Sequence, residues 1–153
     1  MSELVVAIVD DAQLETANSG HMISPRIAPD LSITGNRELL RRAIENIVRN
    51  AFRHTPDGSF IEVEALREND TVRIVVADNG NGVSPDIIET LFLPFARGEH
   101  SRRDGNGLGL AITRAAVARH GGEVSMRTRQ PRSGIKVTIT LPVSNSGREM
   151  EGQ

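Results

Sequence analysis

The stretch 105-GNGLGLAIT-113 sets glycine at positions 105, 107 and 109 and runs straight into an apolar, helix-like segment. Glycine is the poorest ordinary residue for a helix interior, so its repeated use here serves something other than helix stability. A glycine-rich approach uncovers backbone N–H groups at the positive end of a helix dipole, which suits an anion such as phosphate. The pattern predicts a helix over 107–120 and a mobile loop over the polar, turn-rich 98-GEHSRRDGN-106. A flexible linker is the plain alternative, but linkers seldom lead into a run such as LGLAITRAAVARHGG.

Two familiar phosphate loops are excluded by spacing. A dinucleotide fingerprint needs glycine at 110, which is Leu. A P-loop needs lysine directly after glycine, yet Lys136 is the only lysine among 18 basic residues and it follows Ile135. The H-R-D and D-F-G stretches of Ser/Thr/Tyr kinases are also absent.

With 153 residues the chain has the size of one domain, and with no Trp, no Tyr and four Phe its core must be aliphatic. A net charge of −2 points to no nucleic-acid or membrane patch. Without cysteine there are no disulfides and no thiolate metal sites. No apolar run approaches a membrane span and no signal peptide is visible, so a cytoplasmic location is expected.

Outward from the glycines, the hydrophobic period switches between helix and strand. Residues 3–18 read as a helix with Leu4, Val5, Ile8 and Ala12 on one stripe. Pro25 and Pro29 suit a short edge strand and a turn. Residues 37–54 read as a long helix, with Asn36 as N-cap and Pro56 as terminator. The runs 60-FIEVEAL-66 and 71-TVRIVVAD-78 alternate and are joined by 67-REND-70, which predicts an antiparallel hairpin. A short helix is expected over 85–91, and 122–128 is the candidate hairpin partner of the cleanly alternating 135-IKVTITL-141. The expected fold class is α+β, a two-layer sandwich of a mixed sheet with helices on one face. One domain over 1–143 and a disordered tail over 144–153 complete the expectation.

Four stretches carry chemistry. In 45-ENIVRNAFRHT-55, helical geometry puts Arg42, Asn46, Asn50 and Arg53 on one narrow stripe beside the apolar arc. An Asn carbonyl is a hard ligand suited to Mg²⁺, and Arg suits phosphate oxygens; a solvated face with two tolerated Asn is the plain alternative. In 78-DNGNGV-83, Asp78 ends a strand and could accept from an exocyclic amino group, while Gly80 and Gly82 would let backbone approach a flat ligand. D-N-G as a simple tight turn competes with that reading. The stretch 91-LFLPFAR-97 packs two Phe about a proline and then offers Arg97. The glycine stretch is the fourth.

Their order and separation resemble the catalytic and ATP-binding domain of sensor histidine kinases, in the wider family of gyrase B, Hsp90 and MutL. Glu45–Thr55 is similar to the N box, Asp78–Val83 to the first glycine box, Leu91–Arg97 to the F box and Gly105–Leu110 to the second glycine box. The likeness covers roughly residues 3 to 142. It implies the Bergerat sandwich, with ATP and Mg²⁺ as ligands. By the same resemblance Asn50 would hold Mg²⁺, Asn46 and Arg53 would support the phosphates, and His54 would line the nucleotide. Asp78 would accept the adenine amino group, with Gly80, Gly82 and Val83 around the base. Gly105, Gly107, Leu108, Gly109 and Leu110 would form the hinge of a lid, and Arg97 would stabilise charge on the transferring group. Asn46 and Arg97 would thus be the catalytic pair.

Two departures bear on the chemistry. ATP-hydrolysing relatives place a water-activating Glu four residues before the metal-binding Asn; here that position is Asn46, and Glu45 points about 100° away. The resemblance therefore implies a phosphoryl donor rather than a hydrolase. After Gly134 come Ile135 and Lys136 instead of a hydroxyl residue, so no phosphate contact is expected there.

None of His21, His54, His100 and His120 precedes an acidic residue, as a phosphoacceptor His usually does. All but His54 read as surface or lid residues. The chain is expected to be a monomeric fragment whose partner is the histidine-bearing dimerisation domain of the same kinase. A response regulator would be the indirect partner, and the parent would be attached to the inner membrane. A stand-alone anti-sigma factor serine kinase and a non-catalytic nucleotide-sensing module are the alternatives.

Overall fold

A computed structural model describes residues 1–93, 109–129 and 133–143. The chain opens with α1 (Ser2–Glu15), which buries Leu4, Val5, Ile8, Val9 and Ala12. This helix stops three residues before the predicted end. Thr16 is buried and bonds back to Ala12 O through both its N–H and its Oγ1 (2.8 Å for the latter), and the turn closes at Gly20 with φ +72°. The short strand β1 (Met22–Ile27) follows, then α2 (Arg37–Arg53). Asn36 caps α2 as the sequence predicts, with its Oδ1 accepting from Leu39 N at 3.0 Å.

The hairpin β2 (Phe60–Glu68) and β3 (Thr71–Asp78) pairs antiparallel from Ile61↔Asp78 to Glu68↔Thr71. A 3-10 turn at Pro85–Ile87 leads into the single-turn helix α3 (Ile88–Leu91). Helix α4 (Gly109–Arg119) and the hairpin β4 (Glu123–Thr128) and β5 (Ile135–Pro142) complete the described elements. The predicted loop 98–106 and the tail 144–153 lie outside the described residues.

The strands form one sheet in the order β1-β2-β3-β5-β4. All neighbours are antiparallel except β1 and β2, which run parallel because α2 carries the chain from the end of one strand to the start of the other. The sheet is therefore mixed, and Pro25 sits within the edge strand β1.

Alternation decides which face meets the helices. Ile61, Val63 and Ala65 of β2, Ile74 of β3 and Ile139 and Leu141 of β5 are all at most 2% exposed and share one core with α1, α2 and α4. Burial of each such side chain is worth about 1.5–3 kcal/mol. On the other face Val75 and Ala77 are also buried, in a hollow walled by Glu62, Glu64, Arg73, Arg127 and Lys136. Long charged side chains can cover apolar surface with their stems, which explains why β3 alternates less cleanly than its partners.

Helix α4 lies antiparallel along α2. The buried Thr113 donates its hydroxyl to Ala43 O at 3.1 Å, and the Asn46 amide donates to Gly109 O at 3.3 Å.

Candidate functional site

A cavity of about 420 Å³ opens between α2, the end of β3, the segment after it and the start of α4. Among the described residues, six predicted ones line it: Asn50, His54, Asp78, Gly82, Val83 and Leu110. Its apolar surface comes from Ile47, Val76, Ile135 and Val137 among others. An apolar slot with a few convergent polar groups is the usual form of a small-molecule site.

Asp78 is the buried polar group of the cavity, 7% exposed. Its Oδ1 accepts from Gly80 N at 2.9 Å and from Ile135 N at 3.2 Å. Among the described residues nothing donates to Oδ2. Burial pushes the Asp78 carboxyl above its ordinary pKa, opposed by those two backbone bonds, by Arg129 and by His54. The backbone donors and Arg129 favour the ionised form, so the acid is held against an apolar background without being left unsatisfied.

Glycines allow that arrangement at close quarters. A Cβ on Gly80 would stand 2.8 Å from the Thr55 methyl and 3.2 Å from Asp78 Oδ1. Gly134, at φ +119°, passes so near that a Cβ would fall 2.0 Å from Asp78 O. That close pass is what brings Ile135 N to the carboxylate. Arg129 secures the same junction, its Nη1 donating to Asp78 O at 3.0 Å and its Nη2 to Glu62 at 3.3 Å. Gly134, Ile135 and Arg129 were not predicted as site residues. A glycine ahead of a clean strand was legible, but its reason is the backbone of a distant residue.

His54 ends α2 at the cavity wall. Although the residue is exposed, enough protein surrounds the ring that desolvation, then Arg53, hold its pKa below the ordinary value, with Asp78 pulling the other way. The neutral imidazole is thereby favoured. Asn50 presents its amide to the cavity from one turn earlier on the same helix.

The rest of the predicted set is placed differently. Asn46 is half-buried and engaged with Gly109 O rather than lining the cavity. Arg53 is exposed and outside the lining, and Gly80 lies behind Asp78. Gly109 is helical, and a Cβ there would meet Asn46 at an ordinary 3.7 Å, so packing on α2 alone does not demand glycine. Arg97, Gly105, Gly107 and Leu108 lie outside the described residues. Glu45 is held by Arg41 at 2.8 Å, in keeping with its predicted direction away from the Asn stripe.

Two histidines correct the expectation that they are plain surface residues. His21 is half-buried, with Nδ1 2.7 Å from Ser19 Oγ and Nε2 2.9 Å from Thr55 Oγ1. His120 Nε2 accepts from Asn36 N at 2.9 Å. Both are absorbed by polar contacts between elements, which no local pattern announces.

Among the described residues no cluster of three or more His, Cys, Asp or Glu could cage a metal ion. The donor set does fit Mg²⁺ that arrives on a phosphate ligand, since Mg²⁺ keeps waters and takes few protein oxygens. Asn50, the residue expected to hold the ion, lines the cavity and carries such an oxygen. No described helix is long and apolar enough to cross a membrane.

Comparison with known proteins gives a consistent picture. The sequence pattern described as "Histidine kinase-, DNA gyrase B-, and HSP90-like ATPase" matches residues 35–145. The sensor protein PfeS of Pseudomonas aeruginosa is 33% identical over 138 residues, which cover 90% of this chain and 30% of PfeS. The sensor histidine kinase CpxA of Escherichia coli is 36% identical over 146 residues, which cover 93% of this chain and 31% of CpxA. This chain thus spans about 30% of the length of such relatives. Among solved structures, the mycobacterial sensor histidine kinase MprB superposes with a TM-score of 0.82 at 25% identity, covering 94% of this chain and 95% of that one.

Proposed function

We propose that this chain, which belongs to the histidine kinase-, DNA gyrase B- and HSP90-like ATPase family, is the ATP-binding catalytic domain of a sensor histidine kinase. It binds Mg-ATP and donates the γ-phosphoryl group to a histidine on a separate dimerisation domain of the parent. The parent, attached to the inner membrane, would then pass the group to a response regulator.

One observation carries the reading: a buried carboxylate in an apolar slot, with Oδ1 filled by Gly80 N and Ile135 N and Oδ2 left for a ligand. That free acceptor suits the adenine amino group and opposes the guanine carbonyl at the same position. The base would lie between Ile135 and Val83, with Gly82 leaving room beside it. The phosphates would run along α2 toward Asn50 and then Asn46, and toward the start of α4, with Arg53 reaching them from the exposed end of the helix. Mg²⁺, held by the Asn50 carbonyl and the phosphate oxygens, would supply charge neutralisation.

This domain's share of the reaction is positioning and charge complementarity. Asp78 orients the base, α2 aligns the phosphate chain, and His54, its neutral form favoured, lines the nucleotide. Arg97 is assigned to the transferring group on the strength of the family pattern. Asn at position 46, with Glu45 tied to Arg41, leaves no carboxylate where ATP-hydrolysing relatives activate water, which supports transfer over hydrolysis. The incoming imidazole brings its own nucleophile.

The test is reconstitution. This chain is mixed with the separately produced dimerisation domain of its parent and with γ-labelled ATP. Acid-labile, base-stable label on the dimerisation domain is the expected result. ATP binding without transfer would favour the nucleotide-sensing module, and phosphoserine on an antagonist protein would favour the anti-sigma kinase.

A further inference from the structure

Helix α4 reaches the cavity only at its first turn, through Leu110. Something must set where along α2 that turn stands. Three hydrogen bonds step down the helix pair: Asn46 Nδ2 to Gly109 O (3.3 Å), Thr113 Oγ1 to Ala43 O (3.1 Å) and Asn36 N to His120 Nε2 (2.9 Å). They tie the beginning, middle and end of α4 to α2 in antiparallel order.

The third tie is built into its surroundings. His120 Nδ1 donates to Ala116 O at 2.7 Å, which fixes the tautomer and leaves Nε2 as an acceptor. The donor it serves, Asn36 N–H, belongs to the N-cap residue of α2, where no intrahelical partner exists. Gly35 makes room for the ring: a Cβ there would stand 2.1 Å from His120 Cδ2 and 2.4 Å from Nε2. Its backbone is not in the left-handed region, so the ring is the obstacle to a side chain.

We propose that His120 is a positioning residue for the phosphate end of the site. By pinning the last turn of α4 to the first turn of α2, it holds Gly109 and Leu110 in register against Asn46 and Asn50. It touches nothing in the cavity, and the 11 residues of α4 put it about 16 Å from Gly109. Helices packed through apolar ridges alone can shift by an ångström or two; Thr113 and His120 remove that freedom. The adenine end is set independently, by β3 and β5 through Gly80 N, Ile135 N and Gly134. The inference rests on the ATP reading above.

That independence makes the test specific. The whole chain is titrated calorimetrically with Mg-ATP and, separately, with adenosine, and each variant is melted thermally. His120→Ala should bind Mg-ATP about fivefold more weakly, the weight of one neutral hydrogen bond, and adenosine as before. Gly35→Ala should give the same split by expelling the ring. In the double variant the methyl occupies vacated space, so the loss should not exceed that of His120→Ala alone. His120→Gln, whose amide oxygen can accept from Asn36 N, should recover part of the affinity. If His120→Ala does not fold, Gly35→Ala and Thr113→Val carry the same comparison. Folded variants that keep wild-type affinity for both ligands, or lose both equally, overturn the proposal. A wild-type chain that binds neither ligand overturns the ATP reading itself.

Discussion

Replacing Asp78 by Asn separates the site's ligand chemistry from its architecture. Both backbone bonds to the side chain fall on Oδ1, and an Asn keeps that oxygen, so the junction of β3 with β5 should survive. What changes is Oδ2, which becomes an NH₂ facing the adenine NH₂. The lost charge-assisted hydrogen bond is worth about 1.5–3 kcal/mol, or about a 10- to 150-fold rise in Kd. The new donor matches a guanine O6, so preference should also move toward GTP. Stability should move the other way. The folded-state pKa of Asp78 is raised by burial, so its favourable contribution is complete below the unfolded value near 3.8 and is lost as pH rises through the folded pKa. At neutral pH the ionised carboxylate is therefore a cost that Asn removes. Isothermal titration with ATP and GTP, alongside thermal melts at pH 7, tests both halves. Unchanged ATP affinity in a folded variant would refute the adenine assignment, and a marked loss of melting temperature at pH 7 would refute the account of the carboxyl.

Other changes probe other parts of the site. Gly134→Ala should destabilise the fold by about 1–3 kcal/mol from backbone strain alone, with more from the collision with Asp78 O; a melt close to wild type would contradict that contact. Asn50→Ala should abolish the Mg²⁺ dependence of ATP binding while leaving metal-free binding nearly intact, read by titration with and without chelator. His54 has a folded pKa below its ordinary 6.5, so the stability it contributes is present above that value and is lost as pH falls through the folded pKa. The drop in melting temperature from pH 7 to pH 5 should accordingly be smaller in His54→Gln, and equal drops would dismiss the effect.

How much the sequence reveals depends on whether a feature is local. The α2 cap at Asn36 and the alternation of β2, β3 and β5 are written in neighbouring residues, and the structure follows them. Asn50, His54 and Asp78 converge on one cavity, because each ends or lines an element whose period is clear. Contacts made across the sequence were not legible. Nothing near Gly134 signals the backbone of Asp78, and nothing near His120 signals the gap at Gly35. Asn46 looked like a companion to Asn50 on a shared stripe, yet the packing of α4 claims its amide. Thr16 ended α1 early through a bond back to its own helix, a competition that hydrophobic periodicity does not register.

The sheet's border at β1 bears on how copies of this chain tolerate one another. Where copies of one sheet crowd together, any receptive strand margin invites fusion into a continuous ribbon. Pro25 withholds an N–H from that margin, and Arg26 sets a guanidinium beside it, 78% of its side chain open to water. A margin so guarded keeps neighbouring copies of the sheet from joining edge to edge.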